Sequence, residues 1–376
     1  MASQQLGGRL NNLQVLRGLA ALMVVLVHLG DVEAKLGGAV LLHPWSAMGA
    51  AGVDLFFALS GFVMILSAGD RPGGLKDARD FAFARVTRIY PVWWLCLTAL
   101  AIVWLIKPSM VFSSVPGTPT LWKDYLLWPA SREPLHASGW TLIHEMYFYI
   151  VLAVLLALGL SPRVRFWTLC GWMAAVAALS LAPFVQAFPE TVIATHPLTL
   201  EFFGGAMAAY ALRRFNGKGG AIALALGVAC FFPGAAFLGL YLPTSGIPQA
   251  GFADDWARTL AMVWAGPLLC YGAAALEVRG RAVRTGFLTA LGDWSYSLYL
   301  THIIVINVLS RLWKPLANPG LLDNLIALPL ILAGCVLFAR ELYLRFERPS
   351  LNFLRAARKR IAARRALGAD ASTPVG

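Results

Sequence analysis

Two side chains in the first apolar stretch are out of place in hydrocarbon. Arg17 and His28 lie eleven positions apart within LQVLRGLAALMVVLVHLG. At ~100° per residue, eleven steps come to about 1100°, three turns plus about 20°, so both project from one face of a helix, about 16 Å apart along its axis. An ionisable residue at such depth is costly and normally faces a protein-lined or wet cavity. A fixed cation near the mouth of a shaft and a titratable base deep inside it would hold an anion and move a proton. The competing reading is a charge–dipole contact that only pins helices together.

Other polar residues extend the pattern. If the chain starts on the inner side of a membrane, His28, Glu145, Glu201 and His302 all fall in the outer half of the bilayer at similar height, which predicts one shared polar chamber. Ser295, Tyr299 and His302 recur at i, i+4 and i+7, one helical face. Taken singly, each is equally well an interhelical hydrogen bond. Arg85 and Arg88 stand at i, i+3 in RVTRIYPVWW. Two guanidinium forks at a membrane surface suit phosphate oxygens, although sorting of positive charge to the inner side places arginines there as well. With Arg17 they form a cationic rim.

Several chemistries are excluded. His144–Glu145 opens like a zinc-protease helix, but Phe148 stands where the second ligand belongs. No cysteine–histidine cluster has metal-ligand spacing, so no metal is expected. LSGF at 59–62 is no nucleophile elbow, because Ala58 replaces the required glycine. The five cysteines, Cys96, Cys170, Cys230, Cys270 and Cys335, sit in apolar stretches without a pairing rhythm and read as small core residues.

The elements that must position these residues are membrane helices. Of 376 residues 59% are hydrophobic and 13% charged, too little charge for a soluble chain of this length. Ten hydrophobic segments can be drawn, at 13–31, 46–69, 88–107, 138–159, 164–186, 196–214, 220–243, 256–277, 287–313 and 322–345, each above the ~17 residues that span a bilayer. With the N-terminus inside, 22 of the 31 Lys and Arg residues fall on the inner side and seven on the outer. Both termini are therefore expected in the cytoplasm. The net charge of +12 is placed for a membrane and not for nucleic acid. The expected fold is all-α and polytopic, with about ten transmembrane helices, a membrane domain over 1–347 and a basic cytoplasmic tail over 348–376. The tail carries six basic residues in RAARKRIAARR (355–365), suited to an anionic lipid leaflet. The first helix has no cleavage signature and reads as a retained anchor.

The chain resembles the acyltransferase-3 family of integral membrane acyltransferases. The resemblance rests on LRGLAALMVVLVH (16–28), GVDLFFALSGFVM (52–64), RVTRIYP (85–91), GWTLIHEMYFY (139–149), HPLTLEFFGGAMAAY (196–210), LGDWSYSLYLTH (291–302) and FERP (346–349). It looks closest to the branch that acetylates bacterial exopolysaccharides; Thr141 stands where serine is commoner. The resemblance implies a multi-pass protein of the bacterial cytoplasmic membrane. It also implies that acetyl or another acyl group passes from cytoplasmic acyl-coenzyme A to a carbohydrate hydroxyl, on a polysaccharide or a lipid-linked sugar. Arg17 and His28 match the family's essential pair, Arg85 and Arg88 its coenzyme-phosphate motif, and Glu145 its acidic residue.

On that basis His28 is expected to act as general base or transient acyl carrier, with Glu145 orienting the imidazole. Thr141, Tyr149, Glu201, Ser295, Tyr299 and His302 would line the chamber, with Thr141, Ser295 or Tyr299 steadying an oxyanion. The alternative is a proton-coupled transporter or flippase of a lipid-linked sugar, for which no inverted repeat is visible.

Overall fold

A computed structural model describes residues 9–38, 40–111, 118–182, 188–242, 252–284 and 286–370, with 252–253 and 363–370 described by backbone alone. Among these there is no strand. The helices are α1 (Asn11–Val32), α2 (Ala51–Ala68), α3 (Leu75–Ile106), α4 (Leu121–Leu126), α5 (Gly139–Ala157), α6 (Pro162–Leu179) and α7 (Pro189–Ala194). They continue with α8 (Thr199–Phe215), α9 (Gly220–Tyr241), α10 (Phe252–Met262), α11 (Ala265–Val278), α12 (Gly286–Trp313), α13 (Leu321–Leu342) and α14 (Arg348–Asp370).

All ten hydrophobic segments are helical, the ends of 164–186 and 220–243 lying outside the described residues. Seven described helical stretches are long and apolar enough by themselves to cross a membrane; α6, α8 and α12 are not among them. For α12 the cause is composition: Asp293, Ser295, Tyr296, Ser297, Tyr299, Thr301 and His302 crowd its centre. The segment expected at 256–277 is broken into α10 and α11. Pro267 has no N–H to bond the carbonyl of Val263, so the helix opens at the intervening turn. Outward-facing apolar residues such as Ile102, Leu105 and Ile106 on α3 and Leu325, Ile326 and Leu330 on α13 are exposed, as a lipid-facing belt requires.

Two packing arrangements position the site. The α1 N-terminus has unsatisfied N–H groups like any helix start, and here they are capped from α11. Glu277 accepts from Asn11 N at 2.8 Å and from Asn12 N at 2.7 Å. The Asn12 side chain bridges to Ala273 O at 2.9 Å and to Val283 N at 2.7 Å. That clamp sets the height of Arg17. Against α2, helix α8 approaches backbone to backbone: a Cβ on Gly61 would stand 1.8 Å from Phe202 O, and one on Gly205 would stand 1.9 Å from Ala58 O. Small residues at such contacts are the usual means of close helix packing in membranes.

Helix α3 has 32 residues, about 48 Å at ~1.5 Å each, so it outruns a ~30 Å core and carries its basic first turns beyond it. Helix α13 runs on through a π-turn into α14. There Arg358 pairs with Asp80 and lies over Phe83, which docks the basic tail helix on the inner end of α3.

Candidate active site

Helices α1, α2, α3, α5 and α12 enclose a cavity of about 110 Å³. Its inner end holds Arg17, Arg85, Arg88, Tyr149, Ser295 and Tyr296; its middle, Ser60 and Glu145; its outer end, Val53, Phe56, Phe57, Thr141, Leu142 and Tyr299. Eight of the expected site residues therefore meet on one cavity. His28, Glu201 and His302 are not in its lining.

The three arginines differ in what they can still bind. Arg88 pairs with the buried carboxylate of Glu347 and lies 5.3 Å over the Tyr296 ring. Glu347 also accepts from Ser297 Oγ at 2.6 Å. Breaking such a buried pair leaves an uncompensated charge, so Arg88 shapes the rim and is already held. Arg85 reaches Ser67 Oγ at 3.4 Å and packs over Phe81 and Tyr149 at 5.5 and 5.6 Å. Arg17 makes no hydrogen bond or ion pair with a described residue; it stands in the combined field of Arg88, Glu145 and Glu347.

Glu145 is anchored inside the cavity. Its Oε1 accepts from Ser60 Oγ at 2.8 Å and from the Tyr149 hydroxyl. The expected His28–Glu145 pair is not formed. His28 Nδ1 meets Asp31 Oδ2 at 3.3 Å instead, because residues three apart on a helix are neighbours and a partner one turn away is reached first. The His28 ring packs at 5.1 Å on that of His302, which in turn is 5.9 Å from the Tyr299 ring. His302 is buried, its Nδ1 on Leu298 O at 3.2 Å and its Nε2 without a hydrogen bond to any described residue. It stands three residues, about 4.5 Å, beyond Tyr299 on α12, and the cavity stops at Tyr299.

Glu201 is likewise outside the cavity. It is buried beside Asp54, which takes Arg258 in a two-point contact at 2.8 and 2.9 Å. The expected single chamber is therefore divided into three groups: Glu145 on the cavity, Glu201 with Asp54 and Arg258, and His28 with Asp31 and His302.

The hydroxyls also need correction. Thr141 Oγ1 donates to Ser138 O at 3.0 Å, so the 2.7 Å contact between Thr141 and Tyr299 uses the tyrosine proton. Ser295 Oγ donates to Gly292 O at 2.8 Å. All three protons are committed to protein acceptors, and none is left to steady an oxyanion. Ser60, Glu347 and Asp31 were missed by sequence reasoning. For Asp31 the signal was its i+3 spacing from His28, and for Glu347 its place in FERP.

The outer loop above the cavity is held by two titratable groups outside the membrane segments. Asp124 accepts from Leu135 N at 3.1 Å, and His136 Nε2 meets Leu300 O at 2.7 Å. Burial pushes the Asp124 carboxyl up to about 6, the Leu135 N–H pulling the other way. Burial also pushes His136 down to about 4. Unfolded Asp titrates near ~3.9 and His near ~6.5. The Asp124 contribution is thus present at low pH and lost as pH rises through about 6, while that of His136 is lost as pH falls from ~6.5 towards about 4. The two oppose each other, so loop docking should vary little between pH 4 and 6. Asp124→Asn should make the loop more open to protease as pH falls from 7 to 5, and His136→Gln less open. Parallel pH profiles in the two variants would refute the assignment.

The acyltransferase-3 family, described as an acyltransferase domain, matches residues 10–340. The exopolysaccharide production protein ExoZ of Rhizobium meliloti (strain 1021) is 32% identical over 321 residues, covering 83% of this chain and 92% of that protein. The acyltransferase MdmB of Streptomyces mycarofaciens is 29% identical over 339 residues, 81% of each. No solved structure matches.

Proposed function

The chain belongs to the acyltransferase-3 family, and on that premise we propose that it is a membrane O-acyltransferase. It transfers an acetyl or other short acyl group from cytoplasmic acyl-coenzyme A to a hydroxyl of an exopolysaccharide or lipid-linked sugar, in the inner membrane of a bacterium. The observation that carries the donor assignment is Arg17, a guanidinium on the cavity wall with no hydrogen-bond or ion-pair partner among the described residues. A free fork beside Arg85 at the inner end suits the phosphates of a coenzyme, whose slender arm then runs up the cavity. The printed name of the Rhizobium relative supports a polysaccharide acceptor.

In this reading His28, with Asp31 on Nδ1, presents Nε2 as general base at the outer end, where its side chain is 36% exposed. The base takes the proton of the acceptor hydroxyl as the oxygen attacks the thioester carbon. The C–S bond breaks and the thiolate recovers the proton, giving ester and free thiol. Glu145, fixed by Ser60 and Tyr149, offsets the cationic rim and keeps Arg17 directed into the cavity.

The test compares surface glycans from cells with and without the gene by mass spectrometry. Loss of one acetyl or acyl mass per modified sugar is expected. Unchanged glycans together with pH-gradient-driven movement of a lipid-linked sugar would replace the enzyme with a transporter.

A further inference from the structure

The outer end of the cavity is largely apolar, and its lining limits what can be carried there. On the reading just given, the coenzyme's phosphates lie at the arginine end, so the acyl group points to the opposite end. Along α2 the cavity lining runs from Val63 up to Val53, about 15 Å at ~1.5 Å per residue. Phe56 and Phe57 line its outer part.

Phe57 has no room to retreat. Its ring stacks on Phe202 at 4.5 Å and 27°, and Trp140 meets it edge-on at 6.1 Å. Phe202 is 1% exposed, and helices α2 and α8 touch backbone to backbone at Gly61 and Gly205 immediately below. Phe56 is braced edge-on against Tyr299 at 5.8 Å. Interiors packed in this way do not yield to an extra methylene without strain.

We propose that Phe57, backed by Phe202 and assisted by Phe56, is the acyl-length determinant of this enzyme. It admits acetyl or propionyl thioesters and excludes medium chains by limiting the apolar space beside the outer end of the slot. Specificity here is steric: each methylene that a filled pocket rejects changes the ratio of specificity constants by ~10-fold or more.

The experiment uses the full-length protein in membranes that carry its endogenous acceptor. Thiol release and acyl incorporation are followed with acetyl-, butyryl-, hexanoyl- and octanoyl-coenzyme A, for the native protein and for Phe57→Ala, Phe57→Leu and Phe56→Val. The native protein is expected to favour acetyl. Phe57→Ala should raise the hexanoyl-to-acetyl ratio of kcat/KM at least about tenfold, with Phe57→Leu intermediate. A gain of activity towards a longer donor is not something mere loss of packing produces. Should Phe57→Ala fail to accumulate, the leucine and Phe56→Val variants carry the same expectation in smaller measure. Efficient use of octanoyl-coenzyme A by the native protein, or an unmoved chain-length profile in every active variant, overturns the proposal while leaving acyl transfer intact. If the native protein consumes no thioester at all, the acyltransferase reading falls, and the length determinant with it.

Discussion

Replacing Arg17 with alanine is expected to raise the KM for acyl-coenzyme A about 30-fold or more, the effect of losing one desolvated, charge-assisted contact worth ~2–5 kcal/mol. Arg17→Lys should recover part of the loss, because lysine restores the charge without the two-point fork. The comparison that decides the matter uses two donors, acyl-coenzyme A and a truncated acyl-N-acetylcysteamine thioester that lacks every phosphate. If Arg17 holds phosphate, the variant loses its preference for the full coenzyme and handles the truncated thioester nearly as the native protein does. Equal losses on both donors would place Arg17 at the reacting carbonyl or in the architecture. Arg88→Ala is a poor substitute for this test, since it strands Glu347 as an unpaired buried charge.

The place of Arg17 on the cavity was readable in the sequence because an arginine inside an apolar helix has few stable environments, and a wet cavity is the commonest of them. The same logic singled out Glu145, the i, i+3 guanidinium pair singled out Arg85, and helical phase was enough to put Ser295 and Tyr299 on one stripe. Helical phase does not give height to within a turn, and height is what removed His302 from the cavity. Nor does it report which of several partners a buried acid chooses. Glu145 found Ser60 and Tyr149, and Glu201 sits with Asp54 and Arg258, through contacts 85 or more residues apart for Ser60 and about two hundred for Arg258 with Asp54. Such pairings depend on helix order around the bundle, which no local pattern encodes. The break at Val263–Trp264 interrupts the segment expected whole at 256–277, although its signal, Pro267 one turn on, is local.

His28→Ala is expected to lower kcat by ~10²–10⁴-fold, the usual range for removing a general base, with donor affinity unchanged because His28 is not in the cavity lining. Asp31→Asn tests the pairing. Asp31 Oδ2 lies 3.3 Å from Nδ1, so an ionised aspartate there fixes the tautomer that leaves Nε2 basic, and an amide can present either an oxygen or an NH₂. The asparagine variant should therefore keep donor binding, lose part of kcat and shift the alkaline-rising limb of the rate profile. Glu145→Gln should act on the donor side through Arg17 and leave that limb in place. The opposite outcome, a shifted limb in Glu145→Gln and none in Asp31→Asn, would move the base from the outer end into the cavity. Glu145 is the one carboxylate among its described lining residues. In that case Ser60 and Tyr149 would be the groups that tune it, and the His28–His302 ring contact at 5.1 Å would be helix packing between α1 and α12.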